Sequence, residues 1–354
     1  MNQMIEVDAL ADVHTHLREG ELIAPLIVNA IAGGADVLGA MPNTKKGLRT
    51  EQEVSKYVNG LTQAGHQQFF VSGKGVSFIP SVLITEETTK KDIDECVKAG
   101  IRDGKVYPFL RTTNALYGVK HYGRILPIVK HCGKVGMRVH FHPEHPSMIF
   151  NNRDAEFAFL PIARIFLEET DAIIIWEHGT DARCIPHWEN MALTGRFALT
   201  LTAHHLATNE DLSFGDVRSV CKPPVKTEDD RRGLIDLVAK DYSWVMAGGD
   251  SAFHDKSAKQ VEEGTCACGA YTGPFLMPLY AHALDKIIAT ENGIQTFVNF
   301  TSRNARRLYL LPESSRTLTL VRGESWYVPR SYRIGTQTAL PFGVGQYVGW
   351  KLVD

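Results

Sequence analysis

Short apolar runs recur along the first 250 or so residues, most of them with a polar residue at or near the end, and between them apolar positions fall at helical spacing. The runs at 10–16, 36–43, 76–83, 104–108, 137–144, 172–178, 197–205 and 244–250 have the length of buried strands. Residues 69–73 compete with 76–83 for the third place. In the intervening stretches Val54, Tyr57, Val58 and Leu61 repeat at i, i+3, i+4, i+7, as do Ile125, Ile128, Val129 and Cys132, the stripe of an amphipathic helix. Strands alternating with helices predict a parallel sheet, and eight such units close into a (β/α)8 barrel of roughly 250 residues. An open doubly wound sheet is the alternative, but no GxGxxG follows an early strand to mark a dinucleotide site. Residues 301–311 read as one more helix, and 317–354, rich in Gly, Val and aromatics, as a closing appendix. The expected division is a barrel over 1–311 and an appendix over 312–354 packed on it, without independent domain status.

The polar residues that close these runs carry the chemistry. In a parallel barrel, reactive side chains project from the C-terminal strand ends, where the variable loops gather. Here those ends bear His14 and His16, Asn43, Lys105, His142, His178, His205 and Asp250. In a strand, residues i and i+2 share a side, so His14 and His16 can grip one cation through imidazole nitrogens. Asp250 would complete that site, while His142 and His178 can hold a second ion nearby. An HxH pair alone is weak, because the chain has 14 histidines and repeats the pattern at His140 and His142; position at the strand ends supplies the information. An ammonium at Lys105 among two cations would be repelled and would lose its charge. A neutral amine can add carbon dioxide and become a carbamate that bridges two ions. Spacing alone leaves an exposed lysine open.

Composition narrows the partners. Lys plus Arg, 38, nearly balance Asp plus Glu, 40, so no broad basic face points to nucleic acid or an anionic membrane, and recognition must be local. With 44% hydrophobic residues in 354, the chain can bury a large core. No apolar run approaches the ~20 residues of a spanning helix, and the start lacks a signal-peptide pattern; a cytoplasmic protein is expected. Six cysteines are too few for a disulfide scaffold and read mainly as small buried hydrophobes. The pair Cys266 and Cys268 is closer than the CxxC of structural zinc sites.

Taken in order, the strings Asp12-Val-His-Thr-His-Leu-Arg-Glu-Gly20, Met41-Pro-Asn43, Lys105-Val-Tyr-Pro108, Thr112-Thr-Asn114, Glu177-His178, Thr202-Ala-His-His-Leu206 and Gly249-Asp-Ser-Ala-Phe-His254 resemble the dihydroorotases of the shorter, single-function bacterial and fungal type, in the amidohydrolase superfamily. The likeness runs from about residue 10 to 275 and more loosely to Leu340-Pro-Phe-Gly-Val-Gly near the end. It implies an amidohydrolase-type TIM barrel that reversibly cyclises N-carbamoyl-L-aspartate to L-dihydroorotate in pyrimidine synthesis. It also implies two zinc ions: one on His14, His16 and Asp250, another on His142 and His178, with carboxylated Lys105 shared and a bridging hydroxide. Asp250 would be the acid and base. Arg18 would pair with the substrate carboxylate, Asn43 and His254 would help, and Thr112 and Thr113 would sit on a loop, 109–119, that folds over the substrate. Lys222 and Gly269 would supply backbone contacts, and a homodimer is expected.

Several positions depart from the family pattern. His142-Pro143-Glu144 replaces His-Gly-Glu, so that strand end is expected to bend differently. His140 stands where an apolar residue is usual and reads as a hydrogen-bonded core histidine; His145 lies beyond the strand. Lys222 and Phe253 replace an apolar residue and a proline, and Thr44-Lys45-Lys46-Gly47 is unlike the family's proline-rich loop. A hydantoinase or allantoinase acting on another ring is the nearest rival. A scaffold without metal would have lost ligands, which are all present.

Overall fold

Strands buried on both faces are what uninterrupted apolar runs produce in a parallel sheet. In the computed structural model every residue of Leu10–His16, Asp103–Val106 and Phe197–Leu201 is buried. The structure describes residues 3–113, 115–343 and 345–353; Asn114 and Val344, from strings quoted above, lie outside these, as do Met1, Asn2 and Asp354.

The parallel ladder can be followed around a closed ring. Leu10–His16 pairs with Ala35–Ala40, which pairs with Ser77–Pro80. After Ser81, whose hydroxyl donates to the Ala40 carbonyl at 2.7 Å, Val82–Leu83 takes over and pairs with Asp103–Val106. Arg138–Phe141, Ile174–Trp176, Phe197–Leu201 and Val245–Ala247 follow in turn. Ser251–Ala252, beyond the Gly248-Gly249-Asp250 bend, returns to Leu10–His16. Counting the two interrupted strands once each, this is a (β/α)8 barrel. Close approach is built in at Gly39, where a Cβ would lie 2.1 Å from the Val13 carbonyl oxygen.

The expected helical stripes face the barrel. Val54, Tyr57 and Leu61 are buried on Glu51–Ser72, which Thr50 and Glu53 start with a reciprocal capping box. Ile125, Val129 and Cys132 are buried on Tyr122–Val135. Residues 69–73 end the first of these helices at Gly73, in the left-handed conformation, so the third strand is the later segment.

Several boundaries differ from the sequence reading: the runs at 36–43, 104–108, 172–178 and 244–250 stop at Ala40, Val106, Trp176 and Ala247, and three differences have a local cause or change of helix type. The strand expected over 197–205 stops at Leu201, because the Thr202 hydroxyl accepts from His205 N and caps a short helix, Ala203–Ala207. The strand expected over 137–144 stops at Phe141 ahead of Pro143. The helix expected over 301–311 is a π-helical turn, Asn299–Arg303, running into Asn304–Tyr309. At the opposite end of the chain, Thr317–Tyr327 pairs antiparallel with both Tyr347–Val353 and the N-terminal strand Met4–Asp8. That first strand was not anticipated. Among the described residues no helix is long and apolar enough to cross a membrane.

Candidate active site

Five strand ends deliver six groups to one rim. His14 and His16 leave the first strand on one side, and the Asp250 amide donates to the His14 carbonyl at 2.7 Å, which brings the last strand against them. Asp250 Oδ1 then lies 2.9 Å from His16 Nε2 and 3.3 Å from His14 Nε2. The donor atoms of His14, His16 and Asp250 all fall within 4.8 Å of one another. The His178 ring is 5.3 Å from that of His14 and 4.6 Å from that of His142. Lys105 comes up beneath them, its side chain fully buried and its Nζ 3.8 Å from Glu177 Oε1.

Three residues of this rim hold left-handed backbone without being glycine: Arg18 at φ 57°, His178 at φ 39° and Asp250 at φ 45°. Such conformations are costly and persist where the surroundings impose them, commonly at functional sites. Here the His178 amide is held by the Thr200 hydroxyl at 2.8 Å.

The electrostatics favour a cation. Burial works against charge on Asp250, but His14 and His16 beside it hold its carboxyl well below the usual carboxylate range. Burial also opposes charge on His14, yet Glu177 holds that imidazole up to about 9. Burial pushes His16 down to about 4 and His178 well below the usual histidine range. Lys105 is pushed down by the same loss of water, with Glu177 and Asp250 opposing. Lys105 Nζ, His16 Nδ1 and His178 Nδ1 are buried without a hydrogen-bond partner. Buried nitrogens of this kind are rarely left unpaired, and a donor set of imidazoles, a carboxylate and a neutral amine suits divalent metal. The residues therefore fit the ions that the family pattern implies.

Around this centre one pocket gathers the remaining expected residues. Arg18, Asn43, Thr112, Thr113, Lys222, His254 and Gly269 all line it, together with His14, His16, His142, His178 and Asp250. Arg18 Nε donates to the Phe253 carbonyl at 2.8 Å, and its Nη2 lies 3.2 Å from His254 Nε2. The Thr113 hydroxyl donates to the Cys268 carbonyl at 3.2 Å, which ties the loop over the pocket. The Lys222 ammonium donates to Asn152 Oδ1 at 2.5 Å.

Two expected positions stand apart. His205, at the end of the seventh run, sits on the short helix with its nitrogens 2.7 Å from Thr202 Oγ1 and 3.0 Å from the Pro223 carbonyl. His145 accepts from Ser147 N at 3.1 Å. Other residues escaped the sequence reading. Tyr107, Ala252 and Cys268 also line the pocket. Glu144 curls back past Pro143 so that its carboxylate lies 2.7 Å from His142 Nε2. Glu177 accepts from the Thr200 hydroxyl and lies 2.7 Å from His14 Nδ1 and 2.5 Å from His140 Nδ1. His140 bridges on to Asp103 Oδ1 at 2.9 Å, a bonded core histidine. Carboxylates behind metal-ligating histidines fix ring orientation; Glu177, adjacent to His178, and Glu144, two residues past His142, were the signals for this in the sequence.

No family model matches the sequence. The dihydroorotase of Ralstonia pickettii is 30% identical over 353 residues, covering 97% of each chain. The chain belongs to the dihydroorotase family. A probable dihydroorotase of Schizosaccharomyces pombe is 29% identical over 350 residues, 98% of each. Dihydroorotase from Saccharomyces cerevisiae, solved in complex with 5-fluoroorotic acid, is similar throughout, with TM-score 0.88 and 26% identity over 99% of this chain and 98% of that one. L-Hydantoinase from Arthrobacter aurescens, 14% identical with TM-score 0.79 over 98% of this chain and 82% of its own, shares the fold. The dihydroorotases are metal-dependent cyclic amidohydrolases, and the donor atoms gathered at this barrel's rim are consistent with that chemistry.

Proposed function

We propose that this protein is a dihydroorotase, reversibly closing N-carbamoyl-L-aspartate to L-dihydroorotate with release of water. The observation that carries the reading is the meeting of His14, His16, His142, His178 and Asp250 in one pocket with Arg18, Asn43, Thr113 and His254, above the buried amine of Lys105.

Two divalent ions, zinc by the family pattern, would be held by His14, His16 and Asp250 on one side and His142 and His178 on the other, with Lys105 shared. When bound, they would polarise the ring carbonyl and bring the acidity of water near neutral pH. Lys105 suits a shared role because burial disfavours its ammonium. The neutral amine adds carbon dioxide, forming an N–C bond and releasing one proton, and the carbamate presents two oxygens. Arg18 binds the substrate carboxylate through its guanidinium, which Phe253 and His254 orient. In ring opening Asp250 accepts a proton from the attacking water and returns it to the departing amide nitrogen; closure reverses both transfers. Thr113, anchored on Cys268, holds the loop across the pocket and excludes bulk water.

Metal analysis together with dihydroorotate hydrolysis tests the reading. Wild type is expected to hold about two ions per chain at the reaction centre and to hydrolyse dihydroorotate in preference to hydantoin. Lys105→Ala is expected to lose activity by several orders of magnitude. Full activity in that variant overturns the bridging assignment, and preference for hydantoin overturns the substrate.

A further inference from the structure

Among the described residues, one set of metal-ligating side chains besides the reaction centre gathers its donor atoms within 4.8 Å of one another: His204, His205 and Cys221, all buried. His204 is the anomaly in it. Its ring is fully buried, yet neither nitrogen has a hydrogen-bond partner. Buried polar atoms are rarely left without a partner, so a ring with both nitrogens idle calls for an acceptor of its lone pair. The adjacent His205 ring lies 4.3 Å away between centroids. Cys221 Sγ is 3.5 Å from His205 Nε2. A tetrahedral zinc with Zn–N of about 2.0–2.1 Å and Zn–S of about 2.3 Å places its nitrogen and sulfur ligands roughly 3.5 Å apart.

We propose that His204, His205 and Cys221 form a third metal site, separate from the reaction centre, for a borderline-soft divalent cation such as zinc. The thiol exchanges its proton for the cation. His205 coordinates through Nε2, giving up its bond to the Pro223 carbonyl and carrying its proton on Nδ1, where the Thr202 hydroxyl accepts it. His204 gains the partner it lacks. Cys221 also lines a cleft of about 360 Å³ shared with Val220, Lys222 and Pro224. The ion would join the helix Ala203–Ala207 to the segment carrying Lys222, a wall of the reaction pocket. No step of the proposed reaction involves this site.

Cobalt(II) titration of the full chain provides the test, because the reaction-centre donors include no sulfur and a cobalt–thiolate charge-transfer band therefore reports this site. Wild type is expected to show the band and to bind one more cobalt ion than Cys221→Ser, and His204→Gln to lose the band with far-ultraviolet circular dichroism unchanged. Cys266→Ser and Cys268→Ser are expected to retain it. A band that is absent from wild type, survives Cys221→Ser or disappears with Cys266→Ser overturns the site. Should Cys221→Ser fail to fold, X-ray absorption on zinc-saturated wild type decides: a sulfur scatterer at about 2.3 Å is expected, and nitrogen and oxygen neighbours alone overturn the proposal. Dihydroorotate hydrolysis is scored separately, so its failure counts against the proposed function and not against this site.

Discussion

Lys259 is buried, and its ammonium donates to the carbonyls of Val220, Ala267 and Gly269 at 3.0, 2.9 and 3.0 Å. Burial lowers its pKa, but three oxygens at hydrogen-bond distance make the buried charge tenable. The carbonyls belong to the two segments that bring Lys222, Cys268 and Gly269 to the pocket. Lys259→Met leaves the Ala267 and Gly269 carbonyls without their donor, while Val220 keeps the Gly269 amide, and the pocket wall loosens. The expected result is a KM for dihydroorotate raised about tenfold, equivalent to roughly 1.4 kcal/mol, with kcat little changed, as steady-state kinetics would show. Nothing in the sequence marked this lysine, because its partners are backbone atoms 39, 8 and 10 positions away. His14, His16 and Asp250 were legible because strand-end position carries information that residue type does not.

At the level of elements, the loop over the pocket is anchored at both sides. Arg111 is buried and donates to the carbonyls of His145, Ser147 and Phe150 in the following loop, while Thr113 holds Cys268 on the far wall. Replacing Arg111 with alanine removes one anchor and strands three acceptors. Faster proteolytic cleavage within 109–119 is expected, together with a raised KM; unchanged cleavage would remove the anchoring role. A second element depends on pH. Asp230 accepts from Thr227, from the Ala182 amide and from Arg153. Burial opposes charge on it, but these partners hold it below its ordinary 3.8. A carboxylate with a depressed folded-state pKa stabilises the protein fully above its unfolded-state value, and that contribution is lost as pH falls through the folded-state value. Urea midpoints measured below about pH 4 should therefore fall less steeply for Asp230→Asn than for wild type. Helix periods were readable locally, whereas the Thr50 capping box emerged only with the structure. The stop at Leu201 was not readable either, since a Thr-Ala-His-His run extends or caps depending on what packs against it.

The whole molecule closes over nitrogens that protein atoms do not satisfy. Lys105 Nζ, His16 Nδ1 and His178 Nδ1, from separate segments of the chain, are buried without a partner, so a bound cation stabilises the folded state without helping the unfolded one. Chelating the metal is expected to lower the thermal midpoint reversibly; an ion present at about 100 times its Kd contributes about 2.7 kcal/mol by mass action. Calorimetry with and without chelator checks this, and identical midpoints would show that the site binds too weakly to matter. The pairing of Met4–Asp8 with Thr317–Tyr327 belongs to the same scale. It joins the two ends of the chain, a contact with no local periodic signature.

By itself the sequence determined the alternation of buried strands and amphipathic helices, and with it a barrel whose polar residues sit at strand ends, because period and length are local properties of a chain. It also determined which side chains were chemically able to hold metal. Only the tertiary structure decided that Lys105 lies beneath the imidazoles with its amine unpaired and that Glu177 and His140 stand behind His14. It alone brought His204, His205 and Cys221 within reach of one cation. Those relations depend on barrel closure and loss of water, which act between residues from 16 to 163 positions apart and leave no trace in spacing.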